Sequence, residues 1–512
     1  MLNGQIVDQF RPALLAYSFP PQVRMQKLSS SMAVAAAALF FCRPVYGGEP
    51  TRIATAFEKD NPIDLHISLS YEFRHKRASI LREWGQGSIT RLAKDLIYRQ
   101  QQHILAPVLE LGLFHDLSVY LGLPIIVSDD REYAFDQRQG NDCIFPQDVN
   151  STANNASHAT CVDKTNSSSI RDGIIPINGF DALKKNAPYR QFSRDDTETI
   201  FRGPNRRGVD QLHVGIKFGL LNQKKYPLPH WIIALEGRFG VGKAMRFSRE
   251  VADAPNSNHS VGRRIHELGI WTALSRSYRF FEPYFGAYWR YGLRGSQSEF
   301  QEFSTPSQRE VNPQSHTGVY IGTEIIPWEL SAEQLKLAFS LSGIADLHYG
   351  GRGYSEIWEL LSDSPALVGT TNPGKTKCNV EAAIAHATTN PQDPSNYLEA
   401  ANRASNSGDC RKFNGLTSLQ DYGSFGLRAS ANFTIGPYAS IQVGTNLRTD
   451  TRHFLSATSR GDPTQFGNSK TIDANSTDVS PLRRDIIDNA GRRFAIDNVL
   501  DISSFVSILL TF

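Results

Sequence analysis

The sequence predicts an all-β protein, a transmembrane antiparallel up-and-down β-barrel of about 12 strands. Three observations predict this fold. Segments in which apolar and polar residues strictly alternate recur along the chain. The connections between these segments are alternately short and long, and the final segment ends on an aromatic residue. An alternating segment has one apolar and one polar face, which suits a strand between lipid and a polar lumen.

The first alternating segment runs from Ile63 to Phe73 and sets the pattern for the others. Its polar residues, which include Asp64 and Glu72, fall on the face opposite its apolar residues. Most segments have the length of a tilted strand that crosses a membrane. The predicted strands are residues 63–74, 103–113, 118–128, 211–221, 230–242, 263–276, 283–294, 316–328, 335–349, 423–435, 438–450 and 498–512.

The connections indicate which end of the barrel faces which compartment. Some are only a few residues long, as at 114–117 and 436–437, whereas the long loops cover residues 129–209, 350–422 and 451–497. Outer-membrane barrels have short periplasmic turns and long extracellular loops. Because the predicted strand number is even, both ends of the barrel domain are expected on the periplasmic side.

Aromatic residues are expected to form a belt at each end of the strands, because amphipathic rings prefer the headgroup layer. The alternative is that they are ordinary core residues. The candidates are Tyr71, Phe73, Trp289, Tyr291 and Tyr349 at the outer end and Trp231, Trp328 and Phe512 at the periplasmic end.

The region before the first strand is typical of an exported protein. Lys27 is followed by an apolar run over residues 32–41, and small residues near Gly47 fit a cleavage site. We therefore expect residues 1–47 to hold an upstream extension and a signal peptide, and residues 48–62 to be a short periplasmic segment. Residues 63–512 would then form the barrel, located in the cell outer membrane after export to the periplasm.

Four cysteines remain after the signal peptide. Cys143 and Cys161 lie in one polar loop, and Cys378 and Cys410 lie in another. Disulfides suit an exported protein, and pairing within each loop is the simplest of the three connectivities. A metal site is the alternative, but no C-x-x-C motif or histidine cluster accompanies these cysteines.

The last strand resembles the terminal signature of Gram-negative outer-membrane barrel proteins, with alternate apolar residues Ile508 and Leu510 before the terminal Phe512. This resemblance implies recognition by the barrel-insertion machinery. Residues 109–124 and 350–356 also resemble uncharacterised outer-membrane proteins of myxobacteria. That second resemblance implies a location and a fold but no activity.

Composition excludes two classes of protein. The chain has 512 residues and a net charge of +3, so it lacks the strong basic field of a nucleic-acid-binding protein. Its mean hydropathy of −0.35 excludes a polytopic helical membrane protein.

The polar faces of the strands carry side chains of both charges, which we expect to point into the lumen because a charge facing lipid costs a few kcal/mol at mid-depth. These charges either pair and fill a narrow barrel or line a water-filled pore. The predicted lumen-lining residues are His66, Glu72, His213, Lys217, Glu236, Arg238, Glu267, Arg290, Glu324, Asp346, His348, Arg428 and Arg448.

Motifs for catalysis are weak. Residues 237–244 imitate a phosphate-binding loop, but Ala244 stands where the hydroxyl ligand of Mg²⁺ would be. His348 with Asp346 is the one base–carboxylate combination near the outer rim, and it has no serine motif beside it. We expect no enzyme activity, no catalytic set, no cofactor and no metal.

The sequence therefore favours a channel or transporter for small polar solutes. The alternative is a surface-exposed interaction barrel with a closed lumen and disulfide-stapled loops, and an outer-rim hydrolase is a weaker hypothesis. The expected partners are outer-membrane lipid, the barrel-insertion machinery and small polar solutes, with no nucleic acid.

Overall fold

The fold is taken from a computed structural model, which describes the chain from residue 49 onward with gaps. The described residues are 49–57, 63–86, 89–135, 162, 167–175, 201–223, 227–247, 258–278, 280–300, 310–330, 335–362, 364–367, 413–436, 438–462, 480 and 482–512.

Within these residues the chain forms one antiparallel sheet and a few single-turn helices. The strands are β1 (Leu65–Gln86), β2 (Ile89–Phe114), β3 (Leu117–Gly122), β4 (Ile125–Phe135), β5 (Phe201–Arg202), β6 (Arg206–Val209), β7 (Gln211–Leu221), β8 (His230–Gly240), β9 (Ile265–Ser275), β10 (Phe281–Arg294), β11 (His316–Leu330), β12 (Leu335–His348), β13 (Gly351–Gly353), β14 (Thr417–Leu419), β15 (Tyr422–Ile435), β16 (Ala439–Asp450), β17 (His453–Ser456) and β18 (Phe494–Thr511). The helices are α1 (Ser168–Arg171), α2 (Trp358–Leu361) and α3 (Asp485–Asp488), and Glu49–Thr51 and Pro365–Leu367 form 3-10 turns.

The sheet closes on itself. β18 pairs with β16 on one side and with β1 on the other, where His66 lies opposite Thr511. β3 and β4 together form one strand of the wall, and β6 and β7 together form another. The closed barrel therefore has 12 strands. This confirms the predicted fold class, and every predicted strand segment overlaps a wall strand.

The outer surface of the barrel is apolar, as the alternation requires. Along β18, for example, Leu500, Ile502 and Val506 are exposed while Asp501 and Ser503 between them are buried. All the aromatic residues expected in the two belts are exposed: Tyr71, Phe73, Trp289, Tyr291, Tyr349, Trp231, Trp328 and Phe512. A barrel with this surface is built to lie in lipid.

The first hairpin is longer than predicted. Strands were expected at 63–74 and 103–113, but β1 and β2 continue without a loop until they meet beyond Gln86. Their outer parts have apolar side chains, such as Ile80 and Leu96, that are buried in a protein core and not exposed to lipid. With both faces covered by protein, these parts lose the simple alternation from which strands were predicted.

The tight turns at the inner end need unusual backbone conformations. Asp116, between β2 and β3, has a φ of 56°, and Gly436, between β15 and β16, has a φ of 60°. Aspartate and glycine are among the residues that adopt this left-handed conformation most readily. No helix among the described residues is long and apolar enough to cross a membrane.

A cap packs at the outer end of the barrel. We define the cap segment as residues 351–362, which contains β13 and α2. Trp358, Leu360 and Leu361 of α2 are almost fully buried. Leu360 and Leu361 belong to a cluster with Ile80 of β1 and other residues of the extended hairpin, whereas Trp358 belongs to a second cluster with Ile265 of β9. The cap segment therefore packs against strands from different sides of the wall.

The N-terminal segment, residues 49–57, packs against the inner part of the wall. The Thr51 hydroxyl lies 2.7 Å from that of Ser275 on β9, and the backbone N–H of Ala54 donates to Glu110 on β2 over 3.1 Å. Gly112 on β2 lies against this segment, and a Cβ atom there would approach the Thr55 carbonyl carbon to 2.8 Å. A glycine at position 112 therefore permits the close approach of the segment.

Candidate functional site

The candidate site is the lumen, and each predicted lumen residue lies on the inward face of its strand. In β8, for example, Glu236 and Arg238 are flanked by Leu235 and Phe239, which are exposed to the outside. The residues placed in this way are His66, Glu72, His213, Lys217, Glu236, Arg238, Glu267, Arg290, Glu324, Asp346, His348, Arg428 and Arg448.

Near the inner end, Lys217 and Glu110 form a short ion pair. Lys217 Nζ lies 2.6 Å from Glu110 Oε2, and the Ser118 hydroxyl donates to the other carboxylate oxygen over 2.6 Å. The ammonium group also lies 5.4 Å from the ring centroid of Tyr120. Both charges are thus compensated inside the wall.

A second cluster lies on β8, β9 and β10. Arg238 forms ion pairs with Glu236 and with Glu267, the latter at 3.7 Å, and Arg290 Nε lies 4.0 Å from Glu236. The hydroxyl of Tyr120 donates a hydrogen bond to Glu236. These neighbours on adjacent strands form a network of both signs, so charges on the inward face of the wall pair with one another.

Two more ion pairs join side chains of β11, β12 and β16. Arg448 Nη1 lies 2.9 Å from Asp346 Oδ2, while Asp346 Oδ1 accepts from the Tyr288 hydroxyl over 2.7 Å. Glu324 and Lys336 lie 3.6 Å apart. Asp346 is therefore engaged by Arg448 and Tyr288.

Stacked rings form a column at the outer end of the lumen. His348 stacks on Tyr422 with centroids 4.4 Å apart, and Tyr422 stacks on His453 at 4.0 Å. On its other side His348 stacks on His316 at 5.5 Å. His348 is thus held between aromatic rings, an arrangement that suits a structural role better than that of the base in a rim hydrolase.

The remaining predicted residues make individual contacts. His66 Nε2 lies 3.1 Å from Asp64 Oδ1, and the Arg428 guanidinium lies 4.3 Å from the ring centroid of Phe505. His213 on β7 and Glu72 on β1 occupy inward positions on their strands.

Several lumen residues were missed by the sequence analysis. Glu110 and Asp501 sit between exposed apolar residues, so the same alternation that located the others could have found them. Asp501 accepts from Arg74 Nε over 2.9 Å. Glu356 and Arg206 carried no such signal, because each finds its partner only through the tertiary structure.

The cap is tied to the wall by charged side chains. Lys76 Nζ lies 2.7 Å from Glu356 Oε1. Burial alone would raise the pKa of Glu356, but the Lys76 ammonium outweighs burial and lowers that pKa to about 2. Glu359 pairs with Arg206 at 2.8 Å, and both side chains are almost completely buried.

Arg206 is held by more than this pair. Its Nη1 donates to the carbonyl oxygens of Arg246 and Asn258 over 3.1 and 2.8 Å, and its guanidinium lies 5.2 Å from the ring centroid of Trp358. The buried cation therefore joins the cap segment to β6 and to the loop that precedes β9.

A cavity of about 200 Å³ lies at the inner end of the lumen. Arg52 of the N-terminal segment forms one part of its lining, and residues of six wall strands form the rest, among them His66, Lys217 and Asn432. The lumen therefore contains a partly open polar space between the N-terminal segment and the wall.

Some predictions fall outside the described residues. The signal peptide and all four loop cysteines, Cys143, Cys161, Cys378 and Cys410, lie there. The residues of the terminal signature are described, and Ile508, Leu510 and Phe512 are exposed on the outer surface. In the described part of the chain, no group of three or more His, Cys, Asp or Glu side chains could hold a metal ion.

Solved structures with a similar fold are outer-membrane barrels. The COG4313 outer membrane channel from Pseudomonas putida F1 is 10% identical, covers 92% of this chain and all of its own, and has a TM-score of 0.35. A Pseudomonas aeruginosa FadL homologue is 7% identical, with coverage of 88% and 90% and a TM-score of 0.26. The outer membrane protease OmpT from Escherichia coli is also 7% identical, with coverage of 88% and 96% and a TM-score of 0.25.

Likeness at this level does not indicate a function, since these neighbours include both channels and a protease. No protein-family model matches the chain, and no curated protein matches its sequence. The resemblance to myxobacterial proteins stays a prediction.

Proposed function

We propose that this chain is an outer-membrane channel for small polar solutes whose lumen is narrowed at its two ends by the N-terminal segment and the cap segment. The observation that carries the proposal is the polar cavity of about 200 Å³ inside the lumen. A barrel that served only as a scaffold could fill this space with apolar side chains, which pack without the cost of burying charges.

The two closures are of a kind that can open. The N-terminal segment is attached to the wall by a few hydrogen bonds, such as those of Thr51 and Ala54. The cap segment is held by its buried side chains Trp358, Leu360 and Leu361 and by two buried ion pairs, and the ion pairs contribute less net stability than their geometry suggests because of desolvation. We infer that the protein reaches the outer membrane by signal-peptide export and the barrel-insertion machinery, and that it catalyses no reaction.

Reconstitution into planar lipid bilayers tests the proposal. We expect rare, small conductance steps from the intact protein and more frequent openings from Glu359→Gln, which weakens the attachment of the cap segment. The folded state of both proteins is checked by the heat-dependent shift of their electrophoretic mobility. Conductance at the background level from both folded proteins would contradict the channel.

A second candidate is a surface-exposed interaction barrel whose lumen stays closed. The burial of Trp358, Leu360 and Leu361 in the cap favours it, because such a core makes a rigid outer face. Under this alternative, Glu359→Gln would leave bilayers silent while changes to the outer loops would alter partner binding. The two candidates therefore differ in the conductance of a single variant.

A further inference from the structure

We propose that the inner-end cavity is a binding site for a small hydroxycarboxylate. The inference rests on the proposed channel, since it names the class of solute that the lumen holds. It is tested by binding, so that its failure is distinguishable from a failure of conductance.

The charge of the cavity favours an anion. Its lining contains two cationic side chains, Arg52 and Lys217, and one carboxylate, Glu110. Glu110 is fully engaged, because it accepts from Lys217 through one oxygen and from Ser118 and the Ala54 N–H through the other. Lys217 is thereby neutralised, which leaves the charge of Arg52 in excess.

Arg52 is the group that would hold a carboxylate. Among the residues that the structure describes it has no ion-pair partner, and its side chain is half-buried at the edge of the cavity. A guanidinium presents parallel N–H donors that match the two oxygens of a carboxylate. The described part of the chain thus offers no carboxylate partner to the guanidinium of Arg52 at this cavity.

Asn432 supplies the second recognition element. Its side chain is 7% exposed and lines the cavity from β15, and its Oδ1 atom accepts no hydrogen bond in the described structure. A buried acceptor without a donor is costly, so a ligand hydroxyl that donates to Asn432 would remove that cost. Together, the two groups suit a ligand with a carboxylate and a hydroxyl.

The volume of this partly open cavity suits a small ligand. A cavity of roughly 150 Å³ is enough to hold benzene, which has six carbon atoms. The inner-end cavity, at about 200 Å³, therefore suits an acid of about six to nine non-hydrogen atoms. Lactate is a suitable probe, propionate lacks its hydroxyl, and lactamide lacks its negative charge.

Binding of these three compounds to the detergent-solubilised full chain, measured by titration calorimetry, tests the proposal. We expect saturable binding of lactate, binding of propionate about fivefold weaker, and no measurable binding of lactamide. Arg52→Gln should weaken lactate binding about tenfold or more, with Arg52→Lys in between. Since Arg52 lies outside the barrel wall, these variants should leave the barrel folded.

Asn432→Val provides an independent test of the hydroxyl contact. It should make lactate and propionate bind equally while leaving the propionate affinity unchanged. Arg276→Gln, at an exposed arginine that lies over the ring of Tyr278 and does not line the cavity, is the control and should bind lactate normally. Absence of saturable lactate binding, or lactate binding that survives Arg52→Gln, would overturn the proposal even if the protein conducts.

Discussion

Replacing Glu359 by glutamine should loosen the cap without disturbing the barrel. In the intact protein Glu359 accepts from Arg206 Nε and Nη2 over 3.0 and 2.8 Å, and both side chains are almost fully buried. The substitution keeps the size of the side chain but removes its charge, which leaves the Arg206 cation buried without a counter-charge.

The expected cost follows from this burial. Breaking a buried ion pair by removing one partner costs about 3–5 kcal/mol. Arg206 keeps its hydrogen bonds to backbone carbonyls, so we take the lower end, about 3 kcal/mol. Each 1.4 kcal/mol is a factor of ten, so local opening of the cap should become roughly 100-fold more frequent.

Amide hydrogen exchange over residues 351–362 measures this opening directly. Asp497→Asn is a matched control, because Asp497 pairs with Arg452, a side chain that is half exposed at the same end of the barrel. That pair should contribute under about 1 kcal/mol, so its loss should leave exchange in the cap segment almost unchanged. Equal exchange in Glu359→Gln and in the intact protein would refute the role assigned to the buried pair.

Three further predictions concern the other parts of the molecule. Gly112→Val should displace the N-terminal segment, so that a cysteine introduced at Thr55 reacts faster with a thiol reagent added from the inner side. Gly343→Val is the control, because a Cβ atom there meets nothing within 4 Å, and it should not change the labelling. Equal labelling of the two variants would count against the close packing. The low pKa of Glu356, about 2, means that its stabilising effect is fully present above the ordinary value near 4.5 and is lost as the pH falls toward 2. Exchange in the cap segment, taken relative to the intrinsic rate of a free amide at the same pH, should therefore rise over that interval, and a Glu356→Gln variant should lack this part of the pH dependence. Phe512→Ala should reduce the amount of folded barrel in the outer membrane in cells while refolding in detergent stays normal; unchanged assembly in cells would argue against the terminal signature.

Most of the wall could be predicted from the sequence because the barrel depends on a local rule. A strand between lipid and a polar lumen must alternate at every second residue, so Glu236 and Arg238 identify their own face. The same rule would have located Glu110 and Asp501. The long outer parts of β1 and β2 escaped it because residues such as Ile80 and Leu96 are covered by the cap and not by lipid.

The closures could not be predicted in this way, because they rest on contacts between distant residues. Nothing near Glu356 in the sequence marks it as the partner of Lys76, nor Glu359 as the partner of Arg206. These pairs exist only once the closed sheet brings β1 and β6 to the same end as the cap segment.

The sequence by itself therefore determined the closed barrel, its apolar outer surface and its charged inner face, since each follows from the period of two along a strand. The tertiary structure decided what lies at the two ends of the lumen: a cap with buried ion pairs at the outer end, and an N-terminal segment against Gly112 with a polar cavity beside Arg52 at the inner end. The physical reason is that alternation assigns a side chain to one face of the sheet, whereas its partner across the lumen depends on how the whole sheet closes.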